Sequence, residues 1–182
     1  MSLPRWTLLL PLPATAAIVA PAYAADYLTV EQAQHVLFPG ADAFAAEHVT
    51  LTKAQLKQIK SLAGVRQRDE DPEIWQARQS GKALGWFVVD EVVGKHEYIT
   101  YAVAVSPDGH VIGIEVMSYR ETHGGEIRRA KWRDHFKGKT LGNAFKLNKD
   151  IPNISGATLS CRNVTDGVKR VLALLKVVFG YG

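Results

Sequence analysis

Between residues 74 and 119 the chain carries four strand-like runs in a row, at 74–78, 83–93, 98–105 and 110–119, with little but turn residues between them. Runs joined this closely leave no room for the crossover that parallel strands need, so they predict an antiparallel sheet. Ser80-Gly81 and Ser106-Pro107-Asp108-Gly109 supply two of the turns, with residue types that tolerate or pre-set turn dihedrals. The second run is rich in Trp, Phe and Val, which suit a pleated, half-buried surface.

Helical patterns flank the strands. Thr29-Val30-Glu31-Gln32 reads as a capping box opening a helix over 30–37, with Pro39-Gly40 as its stop. Thr52-Lys53-Ala54-Gln55 repeats the device before Leu56, Ile59 and Leu62 at helical spacing, and Gly64 ends it. Residues 126–136 predict a middle helix that turns Ile127, Ala130 and Trp132 inward. A polar connection, 137–153, leads to Ser155-Gly156-Ala157-Thr158 and an amphipathic run over 162–179, with Val164, Val168, Val171, Leu172 and Leu175 as its apolar stripe. The expected fold class is α+β: an antiparallel sheet of four or more strands packed with N-terminal helices, a middle helix and a C-terminal helix.

The start of the chain reads as an export signal. Arg5 is the charged beginning, residues 6–20 the apolar stretch, and Ala22-Tyr23-Ala24 a small-x-small cleavage site. Pro11 and Pro13 interrupt a stretch already short for a membrane span, which favours cleavage over retention as an anchor. Residues 1–24 are therefore expected to leave, and 25–182 to form a single exported, periplasmic domain. No twin arginine precedes the apolar stretch, which points to export of an unfolded chain, so any cofactor is acquired outside the cytoplasm. The net charge of +4 is modest and scattered. Only Arg128-Arg129-Ala130-Lys131-Trp132-Arg133 clusters, in a helical stretch where a solvated face accounts for it, so nucleic-acid binding is excluded as a function class.

The common catalytic signatures are missing. His35, His48, His96, His110, His123 and His135 lack the spacing of a zinc site, and no Cys-x-x-Cys-His haem attachment occurs; no metal site is expected. There is neither a Gly-x-Ser-x-Gly elbow nor a P-loop. Cys161, the single cysteine, reads as a small buried residue on the apolar side of the last helix.

Two glycine-bearing loops remain. Glu121-Thr122-His123-Gly124-Gly125 joins a strand to a helix, and Ser155-Gly156-Ala157-Thr158 opens the last helix. Each can bring backbone N–H donors near a ligand, and the helix start adds the positive end of a macrodipole, so a phosphate is stabilised there. Taken singly, each has an ordinary explanation, a strand-to-helix turn and a helix cap.

Together the loops resemble the FMN-binding domain family, known as flavin-carrying subunits of the sodium-pumping NADH:quinone reductase and the Rnf complex and as small exported single-domain proteins. The resemblance implies FMN held as a phosphoester on Thr158, the last residue of the Ser/Thr-Gly-Ala-Thr motif. It aligns Glu121-Thr122-His123-Gly124 with the family's Glu-Thr-Pro-Gly-type loop near the flavin, with His123 in place of proline. The segments Leu37-Phe38-Pro39 and Trp132 with Phe136, Gly138 and Lys139 extend it over most of the chain beyond the leader. Ser155, Gly156, Ala157, Glu121, Thr122, Gly124 and Gly125 are the implied cofactor contacts, with a solvated turn acid as the alternative for Glu121. Trp132 is read as buried against the sheet, Arg120 and Arg128 as solvated charges, and Lys169 and Arg170 as the wet face of the last helix.

One position departs from the pattern. An acid commonly stands six residues before the acceptor threonine, and here Pro152 occupies that place, with Asp150 two residues further upstream as a substitute. The resemblance further implies an FAD-dependent FMN transferase for maturation and a membrane redox partner such as a cytochrome or a quinone or ferric reductase. The expected function is electron transfer by an exported flavoprotein, as part of an oxidoreductase system rather than as a stand-alone enzyme. The alternative is a flavin-bearing redox-sensing or regulatory module.

Overall fold

The computed structural model describes residues 25–181; the export signal read at 1–24 lies outside the described residues. Among the described residues the sheet has six strands, β1 (Ala25–Asp26), β2 (Ala43–Glu47), β3 (Glu73–Gln79), β4 (Lys82–Val93), β5 (Tyr98–Val105) and β6 (Val111–Tyr119). They lie in the order β1-β6-β5-β4-β3-β2, and every neighbouring pair is antiparallel. The four expected runs are β3 to β6, a meander whose first turn has φ of 48° at Ser80 and 79° at Gly81. Positive φ at both central residues matches the right-handed twist of the flanking strands.

Both faces of the sheet are covered. From β5, Ile99, Tyr101, Val103 and Val105 enter the larger core, while Ala102 and Ala104 enter a smaller one with Phe87 and Met117. The larger core is closed by α2 (Lys53–Ala63) and α4 (Thr158–Phe179), and α1 (Val30–Leu37) covers the smaller one through Ala33 and Leu37. Both capping boxes form: Thr29 and Thr52 accept from the N–H of Gln32 and Gln55, whose side chains accept in return. Gly64, at φ 83°, closes α2 in the left-handed conformation that favours glycine.

The middle helix differs from the single element expected. Residues 125–136 fold as a 3-10 turn (Gly125–Arg128), one α turn, α3 (Ala130–Arg133), and a second 3-10 turn (Asp134–Phe136), with Arg129 extended between the first two. Ile127 and Trp132 are both buried, yet five residues of continuous helix would put them about 140° apart, on different faces. The break at Arg129 lets both reach the core and leaves Ala130 exposed, contrary to its expected inward position. Arg133 ties this segment to the sheet, donating to Arg128 O at 2.8 Å and Ile114 O at 2.9 Å and pairing with Glu115. Among the described residues no helix is long and apolar enough to cross a membrane.

Candidate functional site

The two glycine-bearing loops interlock. Gly124 has φ of +88°, and a Cβ built on it would lie 2.1 Å from Ala157 Cβ and 2.7 Å from the Tyr119 hydroxyl. Ala157, buried at 4 % exposure, therefore occupies the space that a side chain at Gly124 would need. The Tyr119 phenol donates to His123 O and approaches Ser160 Oγ at 3.4 Å, adding a second tie between the loops. Gly124→Ala is expected to cost about 2 to 3 kcal/mol in chemical denaturation, since left-handed strain adds to overpacking. Ala157→Gly in the same chain should recover the packing part and leave the strain.

Beside the interlock lies a cleft of about 360 Å³. The turn between β4 and β5 contributes Lys95 and His96, the first loop Glu121 to His123, and the start of α4 Gly156 to Ser160. Glu121 holds the turn in place: its carboxylate accepts from the N–H groups of His96 at 2.6 Å and Glu97 at 3.0 Å. Burial works to raise its pKa, but these N–H bonds outweigh it and hold the carboxyl below its usual value. The solvated-acid alternative for Glu121 thus gives way to a clip between two loops. Thr122 Oγ1 lies 2.9 Å from His123 Nδ1 on the same wall.

Thr158 is the first residue of α4 and not its cap. Ala157 occupies the N-cap position and makes no side-chain capping bond, so the exposed Thr158 hydroxyl is not consumed by the helix. Its hydrogen-bond partner is Asn153, whose Nδ2 lies 3.2 Å away. The first-turn N–H groups belong to Thr158, Leu159 and Ser160, all lining the cleft, where the helix dipole adds positive potential. Gly156, at φ +80°, shapes the turn that the Ala157 N–H closes onto Ile154 O at 3.0 Å.

Other expected residues fall elsewhere. Ser155 is exposed and does not line the cleft. Gly124 and Gly125 line an adjacent concavity with Arg128 and Arg129, which shares Thr122 and His123 with the cleft. Arg128 is exposed and stands 3.8 Å over the Tyr27 ring, and Arg120 pairs with Asp26 at 3.5 Å. Trp132 is buried and its Nε1 donates to Pro152 O at 2.8 Å; Cys161 is fully buried. Larger concavities of about 590 and 700 Å³ open around Arg170, away from both glycine-bearing loops.

Asp150 is bound into its own loop. Its carboxylate accepts from Lys146 N at 2.6 Å, Phe145 N at 3.0 Å and Lys139 Nζ at 3.1 Å, which commits it to its own loop. Burial would raise its pKa, but these donors hold it below the ordinary value. A depressed carboxyl stabilises the fold above its unfolded pKa of about 4, and that contribution is lost as pH falls through the lower folded value. Asp150→Asn should therefore cost about 1 to 3 kcal/mol at neutral pH and flatten the acid side of the stability–pH profile.

Sequence reasoning does not single out Lys95 or Asn153, and it names His96 only among histidines without zinc-site spacing. Lys95 and His96 sit in a turn between two alternating runs, and nothing local signals that Glu121 draws this turn to the helix start. The assembled groups suit a phosphate: helix-start N–H groups, the Thr158 hydroxyl and Lys95 line one cleft.

The chain is similar to known proteins. Residues 94–173 match the sequence model of the FMN-binding domain, a span that contains every residue lining the cleft. A subunit of the proton-translocating ferredoxin:NAD(+) oxidoreductase complex of Clostridium ljungdahlii is 35% identical over 106 residues, covering 54% of this chain and 57% of that protein. A subunit of the ion-translocating oxidoreductase complex of Aliivibrio fischeri is 34% identical over 110 residues, 54% of this chain and 51% of its own. Its counterpart in the ion-translocating oxidoreductase complex of Stutzerimonas stutzeri is 28% identical over 111 residues, 55% and 49% respectively. The chain thus spans about half the length of the curated relatives it matches. The crystal structure of Shewanella oneidensis NqrC superposes with a TM-score of 0.51 at 21% identity, covering 78% of this chain and 71% of that one, a likeness of fold. Residues 94–173 thus carry the chain's likeness to the FMN-binding domain family.

Proposed function

We propose that this protein is an exported flavoprotein that carries FMN as a phosphoester on Thr158 and passes electrons between membrane-associated redox partners in the periplasm. The observation that carries the reading is the position of the Thr158 hydroxyl: free of any capping bond, at the start of a long helix, in a cleft formed by both glycine-bearing loops. Thr158, Leu159 and Ser160 would hold the phosphate through their N–H groups, with Lys95 adding charge. Glu121 and Thr122 would fix the wall beside the ring, Gly124 and Gly125 the turn behind it. When bound, the flavin supplies one- and two-electron redox chemistry. The protein's part is to retain it, and a covalent bond prevents its loss by dilution outside the cytoplasm.

Relatives named as subunits of ion-translocating oxidoreductase complexes favour transfer to a membrane partner, such as a cytochrome or a quinone or ferric reductase, over sensing alone. Maturation would require an FAD-dependent FMN transferase. Intact-mass measurement of the protein co-expressed with such a transferase is expected to show a gain of one FMN less one water, mapped to the peptide containing Thr158. Wild-type protein that gains no mass under these conditions would sink the proposal.

A further inference from the structure

We propose that Asn153 is the residue that presents the Thr158 hydroxyl for esterification, an inference that rests on reading Thr158 as the flavin anchor. No capping bond fixes the hydroxyl of Thr158. Asn153 does so instead, with Nδ2 3.2 Å from Thr158 Oγ1. This is the amide's only side-chain hydrogen bond among the described residues, because Asn153 Oδ1 is buried without a partner. A loop clip such as Asp150 uses its oxygens on its own backbone; Asn153 spends its amide on Thr158.

The segment around Asn153 is held rigid. Trp132 Nε1 donates to Pro152 O at 2.8 Å on one side, and the Ala157 N–H to Ile154 O at 3.0 Å closes the turn on the other. Together they bring residue 153 against the hydroxyl of residue 158. Pro152 thus contributes a carbonyl anchor where an acid would otherwise stand, and the polar contact to the acceptor comes from the next residue.

Such a contact acts at the bond-forming atom. Thr158 Oγ attacks the flavin-side phosphorus of FAD presented by the transferase; a P–O bond to Oγ forms, the pyrophosphate P–O bond breaks and AMP leaves. The hydroxyl proton passes to a base of the transferase, and no electrons change hands. An N–H donated by Asn153 occupies one lone pair of Oγ, which orients the other lone pair, and it favours the negative charge that develops as the proton departs.

The test is the initial rate of flavin attachment by a purified FAD-dependent FMN transferase, read by intact mass over a range of acceptor concentrations. Asn153→Ala is expected to lower kcat about 10- to 100-fold with KM for the acceptor unchanged. Asn153→Asp, which keeps the shape but loses the donor, should be comparably slow at neutral pH, and both variants should keep the wild-type circular dichroism spectrum. Asn153→Ala modified at the wild-type rate, a change confined to KM, or Asn153→Asp at the wild-type rate would each overturn the role of Asn153 while leaving Thr158 as the anchor. Wild-type protein that stays unmodified, or carries FMN on another residue, removes the anchor and this proposal together.

Discussion

Thr158→Ala is expected to give a folded protein that gains no mass with flavin transferase and FAD, whereas the proposed phosphoester predicts a gain of one FMN less one water for the wild-type chain. The expected loss is complete because the substitution removes the oxygen through which the proposed ester would form, and Ser155 lies outside the cleft. Fold stability should barely change. Thr158 is exposed at the first helical position, does not cap α4, and among the described residues is bonded through its side chain to Asn153 alone. The lost hydrogen bond costs about 0.5 to 1.5 kcal/mol, and alanine's better helix propensity returns about 0.5 kcal/mol of it. The N–H groups of the first turn survive the substitution. Thr158→Ala should therefore still bind free FMN reversibly and lose it on gel filtration, which separates anchoring from recognition. Thr158→Ser keeps the oxygen and should keep the modification. A Thr158→Ala protein that still gained the mass would place the ester elsewhere.

The parts legible from the chain are those decided locally. The meander follows from period-two runs and short turns, and both capping boxes from four-residue patterns that satisfy their own donors. The helix start at Thr158 was visible as an anion-friendly turn for the same reason. What escaped depends on tertiary pairing. β2 is Ala43-Phe44-Ala45-Ala46-Glu47, too weak in β-propensity to stand out, and it is a strand because β3 pairs with it in register from Ala43↔Arg78 to Glu47↔Ile74. β1, two residues long, exists only against Ser118 and Tyr119. The middle helix breaks because burial of Ile127 and Trp132 overrides continuity. The Lys95–His96 wall of the cleft depends on Glu121, 24 and 25 residues away from the N–H groups it accepts. Lys169 and Arg170, adjacent and both cationic, looked like one wet face, yet Arg170 is 6 % exposed.

Substitution of Arg170 carries the largest expected effect on stability. Arg170 crosses from α4 to the sheet, donating through Nη2 to Asp90 Oδ2 at 2.6 Å and Glu91 O at 3.2 Å, and through Nη1 to Arg66 O at 3.3 Å. The Tyr101 phenol, directly across the β4–β5 ladder from Asp90, donates to the same carboxylate oxygen. Burial works against the arginine's charge, but the Asp90 carboxylate outweighs it and holds its pKa above the usual value. Tyr101 moves up as well, first through burial and then through the Asp90 charge, so it remains a donor. Arg170→Met leaves Asp90, with a side chain only 14% exposed, without its counter-charge, and is expected to cost about 3 to 5 kcal/mol in urea denaturation. Arg170→Lys should recover little, since one ammonium cannot reach Asp90 Oδ2, Glu91 O and Arg66 O in the fork geometry that a guanidinium offers. The network is not optimal in itself, because Arg170 Nε is buried without a partner among the described residues. Desolvation is therefore only partly offset, and removing all three polar groups should be milder than removing one. The triple variant Arg170→Met, Asp90→Leu, Tyr101→Phe should regain most of the stability lost by Arg170→Met. If the triple variant is less stable than Arg170→Met, the network contributes net stability and not only a constraint on how α4 sits. Flavin attachment to any variant that still folds should be unchanged, because none of these three residues lines the cleft at Thr158.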